Sequence, residues 1–130
     1  MILLDTNVCI GILHANHVVL SHVRKASEAL AIPGMVQGEL YYGIEKSAFP
    51  ERNRARAENL LRNLPVYHTN DEIMRRFGRL KAEQEKNGAK VDDADVLIAA
   101  TAIELGATLA TGNIRHFSRF LDLKYVNWMT

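Results

Sequence analysis

Cysteine is almost absent from this chain: Cys9 stands alone among 130 residues. No disulfide can form within it, and a reducing cytoplasm is the expected setting. Net charge is equally scarce, with 16 Lys and Arg against 15 Asp and Glu and a formal balance of +1. No overall basic field announces nucleic acid, so any such contact must come from local patches. No apolar stretch reaches the ~20 residues that a bilayer requires, so no membrane span is expected. The first apolar run stops after Leu4 at Asp5, which argues against a secretory signal. There is no GxGxxG and no Walker glycine loop. His14, His17 and His22 have a loosely metal-like spacing but lack a cysteine or carboxylate partner, which argues against zinc. Cys9 has no matched histidine motif, which argues against a thiol nucleophile. Internal repeats, low-complexity tracts and linkers are missing too.

What remains is an ordinary globular composition, 48% hydrophobic and 24% charged. Residues 1–130 read as one domain able to bury its own core. Met1 to Leu4 is a short apolar run of the kind found in buried parallel strands. Helical spacing follows over Thr6 to Ala15 and His17 to Leu30, then a strand over Ala29 to Ile32. Pro33 suits the first turn of a helix carrying Met35, Val36, Glu39, Leu40 and Gly43, which Pro50 ends. Glu51 to Leu64 is a charged helix, Val66 to His68 a short strand, and Asn70 to Asn87 a long amphipathic helix stopped by Gly88. Asp92 or Asp93 caps the next helix, which runs to Gly106. Thr108 to Thr111 is a strand, Asn113 to Phe120 a helical turn or two, and Lys124 to Trp128 a closing strand. Strands alternating with helices predict an α/β domain around a parallel sheet.

In open α/β sheets ligands bind beyond the carboxyl ends of the strands. Asp5 lies at one such end, and Thr111, Gly112 and Asn113 lie at another. Glu39 shares the expected buried face of Met35 and Val36, where a carboxylate is costly unless paired or bound to a metal. Gly38 and Gly43 flank it and suggest close approach of some other group, since glycine costs a helix about 1 kcal/mol relative to alanine. Asp92, Asp93 and Asp95 crowd one helix start, where a cation would relieve their repulsion. Taken singly, each has a plainer reading: Asp5 a helix cap, Glu39 a core ion pair, the aspartates a solvated first turn. Their common placement at strand ends and buried faces points to a site.

At this point the residues match a known pattern. Leu3-Leu4-Asp5-Thr6-Asn7, Gly38-Glu39-Leu40-Tyr41-Tyr42-Gly43, the run Asp93 to Ala102, and Thr111-Gly112-Asn113 with Arg115-His116-Phe117 occur in order. Val126-Asn127-Trp128 closes the set. Over nearly its whole length the chain resembles PIN-domain ribonucleases, and specifically the VapC toxins. The resemblance implies a three-layer α/β/α domain with a central, mainly parallel sheet. It implies a divalent metal, Mg²⁺ or Mn²⁺, held chiefly by Asp5 and Asp95. Glu39 completes the catalytic acids, directly or through water. Asp93 is then a supporting or second-metal acid, and Thr6, Thr111 and Asn113 orient ligands or contact phosphate. Many relatives carry an acid where this chain has His116, which leaves open whether a second metal is held. The resemblance also implies an endoribonuclease toxin neutralised by a VapB-like antitoxin, and a homodimer.

The chemistry suits those residues. A hard divalent cation lowers the pKa of its water and neutralises charge on an RNA phosphodiester, and Mg²⁺ needs only a few carboxylates because it keeps several waters. Arg52 and Arg56, and Arg75 and Arg79 beside Arg76, stand one helical turn apart and could form a phosphate-binding rim; a solvated face with Glu72–Arg76 pairing is the plainer reading. Tyr41 and Tyr42 suit base stacking, a partner interface or, for one of them, the core. Two other functions compete: a catalytically silent PIN module that only binds RNA or a protein, and a phosphohydrolase with Asp5 as nucleophile. The latter wants a second acid two residues on, where Asn7 stands instead.

Overall fold

The computed structural model describes all 130 residues. Five strands, β1 (Ile2–Leu4), β2 (Leu30–Pro33), β3 (Val66–Tyr67), β4 (Thr108–Thr111) and β5 (Lys124–Asn127), form one sheet in the order β3-β2-β1-β4-β5. Every neighbouring pair is parallel, so each connection must cross over the sheet, and helices supply the crossovers. They are α1 (Thr6–Leu13), α2 (His17–Lys25), α3 (Gly34–Lys46), α4 (Pro50–Asn63), α5 (Asp71–Lys86), α6 (Asp93–Glu104) and the single turn α7 (Ile114–Phe117). The expected α/β architecture is what forms. No helix is long and apolar enough to cross a membrane.

Helices on both faces explain the continuous apolar strands. Leu3, Leu4, Ala31, Ile32, Leu109 and Ala110 are fully buried. In α6, Val96, Ile98, Ala99, Ala100 and Ala102 are also fully buried. Burial almost all round requires the small residues Ala99, Ala100 and Ala102, and their size lets α3, α5 and the sheet approach closely. Asn70 caps α5 by accepting from Ile73 N–H at 2.9 Å. Asp92, the first of the two expected caps of α6, accepts from Ala94 N–H at 3.2 Å.

Some boundaries differ from the sequence reading. The second helix ends at Lys25 and not near Leu30, because Ala26 turns to extended backbone and Leu30 is needed to pair with Ile2. Pro33 closes β2, aligned with Tyr67, and caps α3 from outside. Pro50 opens α4 at its first position, where its missing N–H costs nothing, while α3 has already stopped at Lys46.

Candidate active site

β1 and β4 are neighbours, with Leu4 aligned to Ala110, so the next residues, Asp5 and Thr111, emerge side by side at the carboxyl edge of the sheet. Asp5 N–H donates to Ala110 O at 2.9 Å, which carries the pairing one residue past the strand. The Asp5 side chain does cap α1, as the plainer reading held, with Oδ1 accepting from Thr6 N–H at 2.8 Å. It does more: Oδ2 accepts from the Thr111 hydroxyl at 2.6 Å and from Asn7 Nδ2 at 3.2 Å. Asn7 Oδ1 in turn accepts from Gly112 N–H at 3.0 Å, and Thr111 Oγ1 accepts from Asn113 N–H at 2.9 Å. A carboxylate offers about four acceptor sites, so Asp5 keeps one free beside Oδ1.

Glu39 reaches the same edge from α3. It is half-buried, and its Oε1 accepts from the Thr6 hydroxyl at 2.6 Å. No arginine pairs with it. Asp95, in the first turn of α6, accepts no hydrogen bond; the one basic side chain within 4 Å is the His116 imidazole of α7, with Nδ1 3.8 Å from Oδ2. The structure thus brings Asp5, Thr6, Glu39, Asp95, Thr111 and Asn113 to one edge.

The three aspartates at the start of α6 diverge. Asp92 is the cap, and Asp93 turns to Lys81 of α5, 3.0 Å away. Only Asp95 belongs to the acidic cluster, so the crowding expected of the three is relieved by protein partners for one of them. The expected close approach at Gly38 and Gly43 is not found within the chain: both are exposed, and a Cβ at either position would meet nothing within 4 Å. The arginine rim divides. Arg52 and Arg56 lie exposed on α4, and Arg56 lines a cavity of about 260 Å³ that Glu39 also lines. Arg75 is paired with Glu72. Its neighbour Arg76 pairs with Glu104, at the far end of α6, some nine residues or ~13 Å along the helix from Asp95. Arg75, beside Arg76, is therefore remote from the acids, while Arg79 lies between Arg76 and Lys81 on α5 and is exposed. Tyr41 and Tyr42 are exposed, so neither is a core residue.

The sequence reading placed Asn7 in the first motif and noted it as a missing acid but gave it no role in the site, yet it bridges Asp5 to the Thr111–Asn113 turn. Its place directly after Asp-Thr was the available signal. Arg115, exposed on α7 beside His116 and without an ion-pair partner, is a cation closer to the acids than Arg75.

Electrostatics single out the same residues. Burial pushes the Asp5 carboxyl above its ordinary value, against the lowering effect of Thr111, Thr6 and Asn7. Burial, followed by the charges of Asp92 and Asp5, pushes Asp95 up to about 6, with Glu39 adding and His116 opposing. Cys9 lies buried beneath, its thiol pushed up to about 12 by burial and then by Asp5, so it stays a protonated, inert thiol.

The ligand atoms that this edge offers are of one kind chiefly, oxygen. Asp5, Glu39 and Asp95 keep unfilled carboxylate acceptors, the hard oxygen ligands that Mg²⁺ and Mn²⁺ prefer. No Lys or Arg lies in ion-pair range of Asp5, Glu39 or Asp95. Buried carboxylates without a cation are rare, because desolvation is then uncompensated. No group of three His, Cys, Asp or Glu side chains is drawn together closely enough to form a metal-binding cluster, so Asp5, Glu39 and Asp95 share the edge without forming a ready-made ligand set.

Comparison with known proteins agrees with this geometry. Residues 2–121 match the PIN domain model. The chain belongs to the PIN-domain family. It is 34% identical over 128 residues to Ribonuclease VapC2 of Haemophilus influenzae, covering 98% of this chain and 97% of that protein. It is 31% identical over 130 residues to the tRNA(fMet)-specific endonuclease VapC of Salmonella typhimurium, covering 97% and 96%. Among solved structures, VapBC2 of Rickettsia felis, bound to a DNA fragment from its promoter, superposes with a TM-score of 0.92 at 31% identity, covering 98% and 99%. Within the family the chain is of the VapC ribonuclease type.

Proposed function

We propose that this VapC-type endoribonuclease cleaves RNA with a divalent ion, Mg²⁺ or Mn²⁺, held by Asp5 and Asp95. The single observation that carries the reading is the lack of pairing: three carboxylates share one edge of the sheet with no Lys or Arg in ion-pair range, and the one basic side chain within 4 Å is the His116 imidazole, 3.8 Å from Asp95. A bound cation offsets the desolvation that raises Asp5 and Asp95.

When bound, such an ion neutralises charge developing on the phosphodiester and acidifies water. The chain's own groups do the rest. Thr6 fixes one oxygen of Glu39, leaving the other to orient the attacking water and take its proton. Thr111 and Asn7 fix the rotamer of Asp5. Asn113 has its backbone N–H committed to Thr111, so its side-chain amide remains to donate to phosphate, and Arg115 and Arg56 add charge at the rim. Asp93, bound to Lys81, acts by steadying the start of α6.

The partner is a VapB-type antitoxin that silences the site, and the toxin acts as a homodimer in the cytoplasm. The exposed, unobstructed faces at Gly38, Tyr41, Tyr42 and Gly43 favour protein contact there. Purified toxin should cleave RNA with Mg²⁺ or Mn²⁺ and stop in EDTA; full cleavage by metal-stripped protein in chelator overturns the mechanism. Expression alone should arrest growth and co-expression with the antitoxin should restore it. Undisturbed growth with demonstrably active protein overturns the toxin assignment.

A further inference from the structure

Past β5 the chain continues beside the end of β4 and over Gly112. Trp128 N–H donates to Thr111 O at 3.2 Å, and Met129 N–H donates to Asn127 Oδ1 at 2.9 Å. The Met129 side chain lies so close over Gly112 that a Cβ there would come within 2.9 Å of Met129 Cβ, a distance that real side chains do not tolerate. Only glycine lets the two segments meet this closely. The far side is fastened by His22 of α2. Its ring stacks on Trp128 with centroids 5.5 Å apart and planes 7° apart, and its Nε2 lies 3.0 Å from the main-chain oxygen of Thr130. Trp128 is only 6% exposed.

We propose that Trp128, Met129 and Thr130 form a strap, fastened by His22, that positions the carboxylate of Asp5 through Gly112 and Asn7. This rests on Asp5 being a metal ligand. Met129 presses on Gly112, whose N–H holds Asn7 Oδ1. With its oxygen committed there, Asn7 can only turn Nδ2 to Asp5 Oδ2; the flipped amide would set oxygen against carboxylate. Trp128 holds the carbonyl of Thr111, the residue whose hydroxyl is the other donor to Oδ2. Both donors on that oxygen thus trace back to the strap. Trp128 N–H also closes the last pair of the sheet, Asn127 opposite Thr111, whereas His22 and the Met129 side chain take no part in strand pairing. His22, Trp128 and Met129 are positioning residues and touch neither acid nor substrate.

The test uses His22→Ala, which removes the stack, His22→Phe, which keeps it, and Met129→Ala, which removes only the contact on Gly112. Free Mn²⁺ is followed by electron paramagnetic resonance, RNA cleavage by kcat and KM, and the Asn7 side-chain amide by hydrogen exchange. In His22→Ala and Met129→Ala the Asn7 amide should lose protection, Mn²⁺ half-saturation should rise roughly tenfold, and kcat should fall by about as much with KM unchanged, since a ~1 Å misplacement can cost about a hundredfold. His22→Phe should restore all three. Wild-type Mn²⁺ binding and kcat in Met129→Ala overturn the strap, as does a His22→Phe chain as impaired as His22→Ala. Should His22→Ala fail to fold, Met129→Ala decides alone. Asp5→Asn separates the two proposals: if it still cleaves, the metal reading falls, whereas an inactive Asp5→Asn with a normal Met129→Ala condemns the strap only.

Discussion

The hydroxyl of Thr111 donates to Asp5 Oδ2 at 2.6 Å across 106 residues of chain. The same oxygen atom of Thr111 accepts from Asn113 N–H, so one buried side chain aligns an acid from the first strand and the turn after the fourth.

Replacing Thr111 with valine keeps the shape and removes both bonds. A buried N–H and a carboxylate each lose a partner, at about 1–3 kcal/mol apiece when left unsatisfied. Thr111→Val should unfold at lower temperature and lose most of its RNA cleavage. Thr101→Val is the control. Thr101 is equally buried but bonds only Leu97 O in its own helix, at 2.8 Å; its activity should stay at wild type.

Asp95→Asn and Asp5→Asn should differ in stability while both abolish cleavage. Asp95 accepts no hydrogen bond, so asparagine fits freely and removes repulsion; in EDTA the variant should be at least as stable as wild type. At Asp5 both oxygens are acceptors. An asparagine NH₂ set at Oδ2 would face the Asn7 NH₂, at about 1 kcal/mol or more. Thermal unfolding in chelator beside a cleavage assay reads both effects, and an active Asp95→Asn would remove that residue from the site.

Metal-free stability should fall as pH rises from about 4 to about 6. Asp95 titrates near 6 in the folded chain against an ordinary 3.8, so the folded state binds more protons across that window, and raising pH there favours unfolding. After solvent screening the effect is roughly 1 kcal/mol. It is read as the difference between wild type and Asp95→Asn in EDTA. With saturating Mg²⁺ the slope should reverse, because the ion favours the ionised carboxylate.

Cys9 should resist alkylation at pH 8 in the native chain and react at once in denaturant, given a thiol pushed up to about 12 by burial. Thiol reagents should leave cleavage intact. Rapid native labelling would show that the floor of the site opens.

Much of this was legible from the sequence, for identifiable reasons. The alternation of apolar strands and amphipathic helices fixes the layers, and local spacing places Asp5, Glu39 and Asp95 at the edge of the sheet. What stayed hidden was partnership across distance. Nothing near Asp93 announces Lys81, and nothing near Arg76 announces Glu104, so the acids of α6 and the arginines of α5 could not be sorted from spacing alone. The prolines misled at boundaries because Pro33 and Pro50 suit the end of one element and the start of the next equally well. His22 gave no sign that its ring meets Trp128, since that contact exists only once β5 has docked.

The all-parallel order with β1 at the centre has a temporal consequence. β1 is made first, but its neighbour β4 is made only after more than a hundred residues have followed. A chain still emerging from the ribosome therefore carries Asp5 without Thr111 and Glu39 without Asp95. Such late, non-local pairings also close slowly. The acidic edge can therefore assemble only late, once β4 is available to pair with β1.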